Sequence, residues 1–315
     1  MKKIYLYILT FVAITTQSQN LTYILNKENT DIKFAQAKLS VWDILLSTSR
    51  MTFSGGVGGR FYMNGLYVST NYEFHYLDNL AEASSTQNIR GYSIYNPTKS
   101  RNADITLGYF HQKETEGKVR VNLKSTSKVT HYTYVNAKYN KIMGVQLGYK
   151  SGFSHLTIPQ GVNVTDYYLP STGTIKTDAG MTTYMQYGWI NIGPSFGKIV
   201  DVEADFSGLG VRKTQYFKRF YANVLIATKN KLEDVYYTEG YGSSNPLVHQ
   251  YVLNGNVTMS KFGFNVGFET FKFSKVGFIY GLELGLMPGV KVASAGNGYV
   301  SFKWGILFGK QFGGN

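Results

Sequence analysis

Near the C-terminus, three stretches place a large apolar side chain at every second residue. In KFGFNVGFE, Phe262, Phe264, Val266 and Phe268 share a phase opposite Lys261, Gly263, Asn265, Gly267 and Glu269. In VGFIYGLELGL, Val276, Phe278, Tyr280, Leu282, Leu284 and Leu286 oppose Gly277, Gly281, Glu283 and Gly285, with Ile279 among the small set. In SFKWGILFGK, Phe302, Trp304, Ile306 and Phe308 oppose Ser301, Lys303, Gly305, Leu307 and Gly309. A period of two is that of a β-strand. The make-up of the two faces is the stronger constraint. A soluble sandwich hides its large residues in one core and turns a charged side to water. Here the bulky face is wholly apolar and the other is glycine with isolated polar groups. That pattern predicts Phe262, Phe264, Phe278, Tyr280, Phe302 and Trp304 against lipid. It predicts Lys261, Asn265, Glu269, Glu283 and Lys303 in a crowded lumen.

The alternation recurs upstream. KVRVNLK sets Lys118, Arg120, Asn122 and Lys124 against Val119, Val121 and Leu123. The same logic assigns its polar set to the lumen and its apolar set to lipid. In MGVQLGYK, Met143, Val145, Leu147 and Tyr149 oppose Gly144, Gln146, Gly148 and Lys150, so Lys150 joins the lumenal set. LYVSTNYEFHY (66–76) and DITLGY (104–109) read the same way, whereas 129–139 and 181–193 carry Tyr and Thr in both phases. KFAQAKLSV alternates too, but Phe34, Ala37, Val41, Ile44 and Leu45 also satisfy helical spacing over 33–46.

Asn64-Gly65 is a hairpin dipeptide. ETEG (114–117), NK (140–141) and KFSK (272–275) read as further short connections, and 79–102, 155–180, 230–247 and 288–297 as longer ones. Counting the runs between them predicts an all-β fold, a transmembrane antiparallel up-and-down β-barrel of about fourteen strands. The alternative is twelve strands with an N-terminal helix. On the fourteen-strand count the long segment 230–247 falls at the end that otherwise holds short turns.

Residues 1–18 have the anatomy of a secretory signal peptide: Lys2 and Lys3, an apolar run from Ile4 to Ile14, then Thr16 and Ser18 before a cleavage point. Residues 19–315 are then expected to form a single barrel domain. With no cysteine, an exported chain must hold its fold by burial or by a closed hydrogen-bond ladder. Of 32 basic residues the signal takes two, leaving 30 against 19 acidic ones, a net +11 that favours anionic partners. Nucleic acid is not among them, because the chain is exported and carries no basic block. The 26 Tyr, 20 Phe and 34 Gly suit strands whose rings meet a membrane and its interfaces.

With these features the mature chain resembles Gram-negative outer-membrane β-barrel proteins, in particular the Lys-, Asn- and Tyr-rich type of the Bacteroidota. The resemblance implies an outer-membrane location, contact with outer-membrane lipid including lipopolysaccharide, and other envelope proteins as partners. Such chains usually end on an aromatic residue; here Phe312 is followed by Gly-Gly-Asn.

Motifs for chemistry are sparse. DVEAD puts Asp201, Glu203 and Asp205 on one strand face, which reads as an acidic ladder neutralised by basic strands such as Lys118, Arg120 and Lys124, ahead of a cation site. The histidines (75, 111, 131, 155, 249) lack ligand spacing, so no metal or other cofactor is expected. Ser154 and His155 are adjacent, and neighbours on a strand point to opposite faces. GGVGG at 55–59 lacks the Lys-Ser/Thr of a phosphate loop. The expectation is a non-enzymatic subunit of an envelope transport or protein-secretion assembly. The alternative is a stand-alone channel for small or hydrophobic solutes.

Overall fold

The computed structural model describes residues 22–47, 51–78, 91–92, 100–125, 130–157, 163–166, 174–176, 182–232, 235–239, 247–253, 258–291 and 298–312. The signal segment 1–18 lies outside them. The chain clusters into two compact units, one holding residues 31–113, 141–199 and 216–315, the other 1–30, 114–140 and 200–215.

The larger unit is a barrel. Strand β1 (Tyr23–Glu28) stands outside it. The wall is formed by β2 (Lys33–Ser47), β3 (Met51–Met63), β4 (Leu66–Asp78), β5 (Arg101–Ser125), β6 (Thr130–Thr157), β7 (Thr182–Phe206), β8 (Gly210–Leu232), β9 (Phe262–Phe271), β10 (Val276–Leu286) and β11 (Gly298–Phe312). Each pairs with the next in sequence, and β11 returns to β2 with Phe312 opposite Lys33 and Tyr299 opposite Ser47. The fold is therefore a closed antiparallel meander of ten strands, neither fourteen nor twelve. The difference has a plain cause. ETEG lies inside β5 and NK inside β6, so each expected turn is continuous strand, and the segment 247–253 pairs outside the barrel wall. Residues 33–47 are strand throughout, which removes the helical alternative.

With ten strands the connections sort by chain direction. Those at 64–65, 126–129, 207–209 and 272–275 are short and share one end of the meander with the start of β2 and the finish of β11. By strand direction those at 79–100, 158–181, 233–261 and 287–297 belong to the other end and are longer; the link at 48–50 also belongs there and is short. The segment 230–247, misplaced on a fourteen-strand count, now falls with the long ones. At the first short turn Asn64 and Gly65 both have positive φ (52° and 85°), as a two-residue type I′ hairpin demands.

The outer face of the barrel is apolar on every strand. Val57, Phe74, Leu107, Met143, Ile192, Val224, Phe264 and Phe302 are all exposed. A water-soluble protein rarely shows a continuous apolar surface beyond a few hundred Å². Strands β9 and β10, of 10 and 11 residues, have about the length that crosses a bilayer when tilted. A closed ladder leaves no unpaired backbone edge in lipid.

The smaller unit is built from β1 and from parts of β5 to β8. β1 pairs with β7 from Tyr23 opposite Phe206 to Glu28 opposite Val202. Towards β6 it uses other groups: the backbone N–H of Asn136 donates to Tyr23 Oη and that of Lys138 to Glu28 Oε1, both at 3.0 Å. Val119, Val121, Val135, Ala137, Val202, Ala204 and Phe206 form its interior, all 1% exposed or less. Thus Val119 and Val121 of KVRVNLK are buried against protein, where lipid contact was expected. Lys118, Arg120 and Asn122 are exposed, where a lumen was expected; the side chain of Lys124 lies outside the described set. Arg120 stacks over Tyr132, 3.8 Å from the ring centre. Lys138 Nζ bonds Glu114 Oε1 at 3.1 Å, and this hydrogen bond holds the Glu114 carboxyl below its ordinary range.

Candidate functional site: the barrel lumen

Inward-facing side chains fill the barrel in layers. The first is an apolar ring to which each of the ten strands contributes one residue: Phe34, Tyr62, Tyr67, Phe110, Ile142, Ile199, Phe217, Phe271, Ile279 and Leu307, from β2 to β11 in order. None is more than 2% exposed. Phe34 sits among the rings of Tyr62, Phe217, Phe271 and Phe273, with centroids 5.5–6.0 Å away. Phe273 belongs to the 272–275 turn, which folds its ring inward to stack on Phe34. The turn is held by Gln36 Nε2, which donates to the carbonyls of Lys272 and Ser274 at 3.1 and 3.3 Å. With every member of the ring 2% exposed or less, the layer presents almost no surface to water.

Beyond the ring comes a polar layer. Arg60 Nη2 donates to Glu269 Oε2 at 3.1 Å, Tyr67 Oη donates to Glu269 Oε1 at 3.1 Å, and Arg219 Nε lies 3.5 Å from the same oxygen. From Arg219 a continuous relay crosses the barrel. Arg219 Nη1 donates to Gln146 Oε1 (2.8 Å), Gln146 to Asn223 (2.9 Å), Asn223 to Asn265 (2.8 Å) and Asn265 to Tyr299 Oη (3.2 Å). Tyr299 Oη then donates to Glu283 Oε1 at 2.5 Å, and Tyr221 Oη to Glu283 Oε2 at 2.7 Å, with Lys303 Nζ at 3.6 Å. Every link donates in one direction, an order that cooperative polarisation favours. Gly267 makes room for it: a Cβ there would stand 2.2 Å from the Tyr221 ring.

A third cluster follows on β2 to β5. Lys38 Nζ donates to Asp43 Oδ2 at 3.3 Å, and the Trp304 N–H to Asp43 Oδ1 at 2.8 Å. Asn102 Nδ2 reaches Glu73 Oε2 (3.2 Å) and His75 Nε2 (3.0 Å). A bulge in β2 between Ser40 and Asp43 turns Val41 and Trp42 both outward and aims Asp43 inward. Between these layers lies a cavity of about 80 Å³, lined by the polar groups and by Tyr187, Trp189 and Met287. Its lining carries Arg60, Lys150, Arg219 and Lys303 against Asp43, Asp104, Glu73, Glu269 and Glu283. Mixed charge of this kind makes a self-neutralising lattice, and the surplus of basic residues in the sequence is not expressed here.

Of the residues assigned to the lumen from sequence, Asn265, Glu269, Glu283, Lys303 and Lys150 line this cavity. Lys261 is exposed just before β9, and Lys118, Arg120 and Asn122 belong to the smaller unit. On the outer face, Phe262, Phe264, Phe278, Tyr280 and Phe302 are exposed; Trp304 is half-buried, its ring stacked 6.4 Å from that of Phe278. Asp201, Glu203 and Asp205 also belong to the smaller unit. Asp201 is buried and accepts from Asn29 Nδ2 (3.2 Å) and Gln215 Nε2 (2.9 Å), with Lys213 at 3.9 Å. These three partners are not among the Lys118, Arg120 and Lys124 expected from sequence. Arg60, Arg219, Tyr67 and Tyr221 were not anticipated. Among the described residues no cluster of three metal-ligating side chains occurs.

No family model matches this chain, and no curated protein sequence does. Among solved structures it is similar to the NanC porin (8% identity, TM-score 0.27, covering 87% of this chain and 98% of that one). It is also similar to the toluene transporter TodX of P. putida (8%, 0.23, 90% and 90%) and to the CymD monoaromatic hydrocarbon channel (10%, 0.19, 90% and 89%). Scores this low carry no argument, and the assignment of a closed β-barrel rests on the chain's own strand ladder.

Proposed function

We propose that this chain is a Gram-negative outer-membrane barrel that serves as a closed, non-enzymatic subunit of an envelope transport or protein-secretion assembly. The observation that carries the reading is the apolar ring: ten strands each place one residue in it, and Phe273 stacks into it from a turn. A diffusion pore needs a continuous wet path, and a barrel of this strand number is filled by its own side chains. The work of such a protein then falls to its surfaces, and the smaller unit supplies one. Two measurements test this. Purified protein in planar bilayers gives no conductance above background, and extraction in mild detergent recovers it with other envelope proteins. Steady unitary conductance of the wild type, or recovery as a lone barrel in every detergent, overturns the proposal.

The second reading is a gated channel for small solutes. The polar cavity of about 80 Å³ favours it. It requires the ring to open, so a Phe34→Ala/Phe273→Ala double variant would conduct where the wild type does not.

A further inference from the structure

On the outer face of β7 and β8 two lysines stand directly opposite each other. A Cβ on Gly197 would lie 2.0 Å from the Lys218 carbonyl oxygen and 2.8 Å from Arg219 Cα, and the ring of Phe196 stacks on that of Phe220 at 5.7 Å. That register sets Lys198 against Lys218, both in the outward phase of the exposed Phe196 and Phe220. Like charges facing each other across a strand pair are destabilising. The flanking side chains bring no carboxylate. They are Phe196, Tyr216, Phe220, Phe268 and, opposite Lys218 on β9, Thr270; just past β9 comes a third cation, the exposed Lys272.

The two ammonium groups part. Lys198 Nζ lies over Tyr216, 5.4 Å from the ring centre. Lys218 Nζ lies over Phe268 and Phe220, at 4.9 and 5.3 Å, and those two rings are themselves 4.9 Å apart. Among the described residues Lys218 Nζ makes no hydrogen bond or ion pair. Phe268 is further from the 272–275 turn than Thr270 is, so the Lys218 ammonium leans away from the short-turn end and into the apolar band. A lysine at the edge of a membrane span ordinarily reaches back to water. The π face of a ring attracts a cation but carries no net charge to neutralise it. A lysine pair set in an apolar band is matched by an anion that itself belongs to the lipid.

We propose that Lys198 and Lys218 bind the phosphate of one acidic glycerophospholipid, with the rings of Phe196, Phe220 and Phe268 against its acyl chains. One phosphate between the two ammonium groups offsets the repulsion between them. A choline or ethanolamine headgroup brings a further cation to the pair, so a headgroup of the phosphatidylglycerol type fits and the zwitterionic types do not. The proposal rests on the membrane location proposed above, and it holds for an open or a closed lumen.

Native mass spectrometry of the purified protein, offered equal amounts of phosphatidylglycerol and phosphatidylcholine in mild detergent, should show phosphatidylglycerol bound in excess. Lys198→Gln/Lys218→Gln should lower that excess by about tenfold or more, as the loss of hydrogen bonds to a charged group implies. Lys275→Gln/Lys310→Gln removes the same charge from exposed positions outside the site and should keep it. In urea unfolding from phosphatidylcholine vesicles, Lys218→Gln should be more stable than the wild type, and added phosphatidylglycerol should reverse the order. If the double variant fails to fold, Lys218→Gln decides. Equal retention of the two lipids by the wild type, a preference that survives in the double variant or falls equally in the control, or a reversal produced by inorganic phosphate overturns the proposal. A wild type that stays soluble without detergent and does not enter vesicles overturns the membrane reading itself, and this site with it.

Discussion

Truncating Phe34 tests whether the apolar ring is a packed interior. Phe34 is fully buried and has four aromatic neighbours within 6.0 Å. Phe34→Ala removes the transfer free energy of a phenyl group and leaves a hole whose walls, ten strands in a closed ladder, are poorly placed to collapse. A buried Phe→Ala costs about 3–5 kcal/mol on that account. Phe262 supplies the control. It is 66% exposed on the outer face, and on the proposed membrane location acyl chains would flow into any space left behind. Phe262→Ala should therefore lose only the transfer term, about 1.5–3 kcal/mol. The gap of about 2 kcal/mol between the two variants is the cavity term alone, at roughly 24 cal/mol per Å³ for a hole the size of a phenyl ring. Reversible urea unfolding from lipid vesicles measures both, with Trp42, Trp189 and Trp304 as fluorescent reporters. Equal costs at the two positions would mean that Phe34 also borders a fluid medium, and the closed-lumen argument would fail.

Three further outcomes are expected. Glu269→Ala strips the partner from Arg60, Arg219 and Tyr67 together and should destabilise the barrel by about 3–5 kcal/mol in the same urea assay; a cost under 1 kcal/mol would show that the guanidiniums reach water. Gly65→Ala forces a Cβ into positive φ and to 2.4 Å from the Phe110 carbonyl, so it should lower stability by about 1 kcal/mol or more and slow folding into vesicles; wild-type stability and folding rate in this variant would refute the reasoning. In the smaller unit, the Glu114 carboxyl should titrate below the ordinary carboxylate value by carbon NMR and return towards it in Lys138→Met. Because the folded-state value is depressed, any stabilisation from this pair is present above the ordinary carboxylate pKa and lost as pH falls through the folded one.

The barrel was legible because three consecutive C-terminal strands keep one phase wholly apolar, and those strands are β9, β10 and β11. The strand count was not. Polar residues such as Glu114, Glu116, Asn140 and Lys141 look like turns, and a sequence window cannot distinguish a turn from a strand that continues with both faces polar. The apolar ring left a faint trace: Ile279 and Leu307 interrupt the small, polar phase of β10 and β11, and both belong to it. Two such exceptions on neighbouring strands signal a layer crossing the lumen. The ring's aromatic members were hidden by the assumption that Phe and Tyr mark lipid contact, although Phe34, Phe217 and Phe271 face inward. The pairing of Glu269 with both Arg60 and Arg219 joins β3, β8 and β9 across the barrel, at 209 residues' separation for the first pair, and no local pattern encodes that.

KVRVNLK shows why alternation alone does not name the medium. Its apolar phase, Val119, Val121 and Leu123, is as regular as that of KFGFNVGFE, yet the first packs against protein and the second faces outward. The difference lies in the opposite phase. A strand whose other face lines a small barrel must fit its neighbours across the lumen, and so carries Gly263, Gly267 and one paired charge, Glu269. A strand whose other face meets water has no such restriction, and carries Lys118 and Arg120 side by side, both exposed. Side-chain volume in the polar phase is thus the better discriminator, because the interior of a ten-strand barrel is limited in space while bulk water is not. Replacing Arg120 with a bulkier or oppositely charged residue should leave the fold intact, whereas Gly267→Val should displace the Tyr221 ring and break its bond to Glu283. Folding yield into vesicles separates the two, and a tolerated Gly267→Val would refute the volume argument.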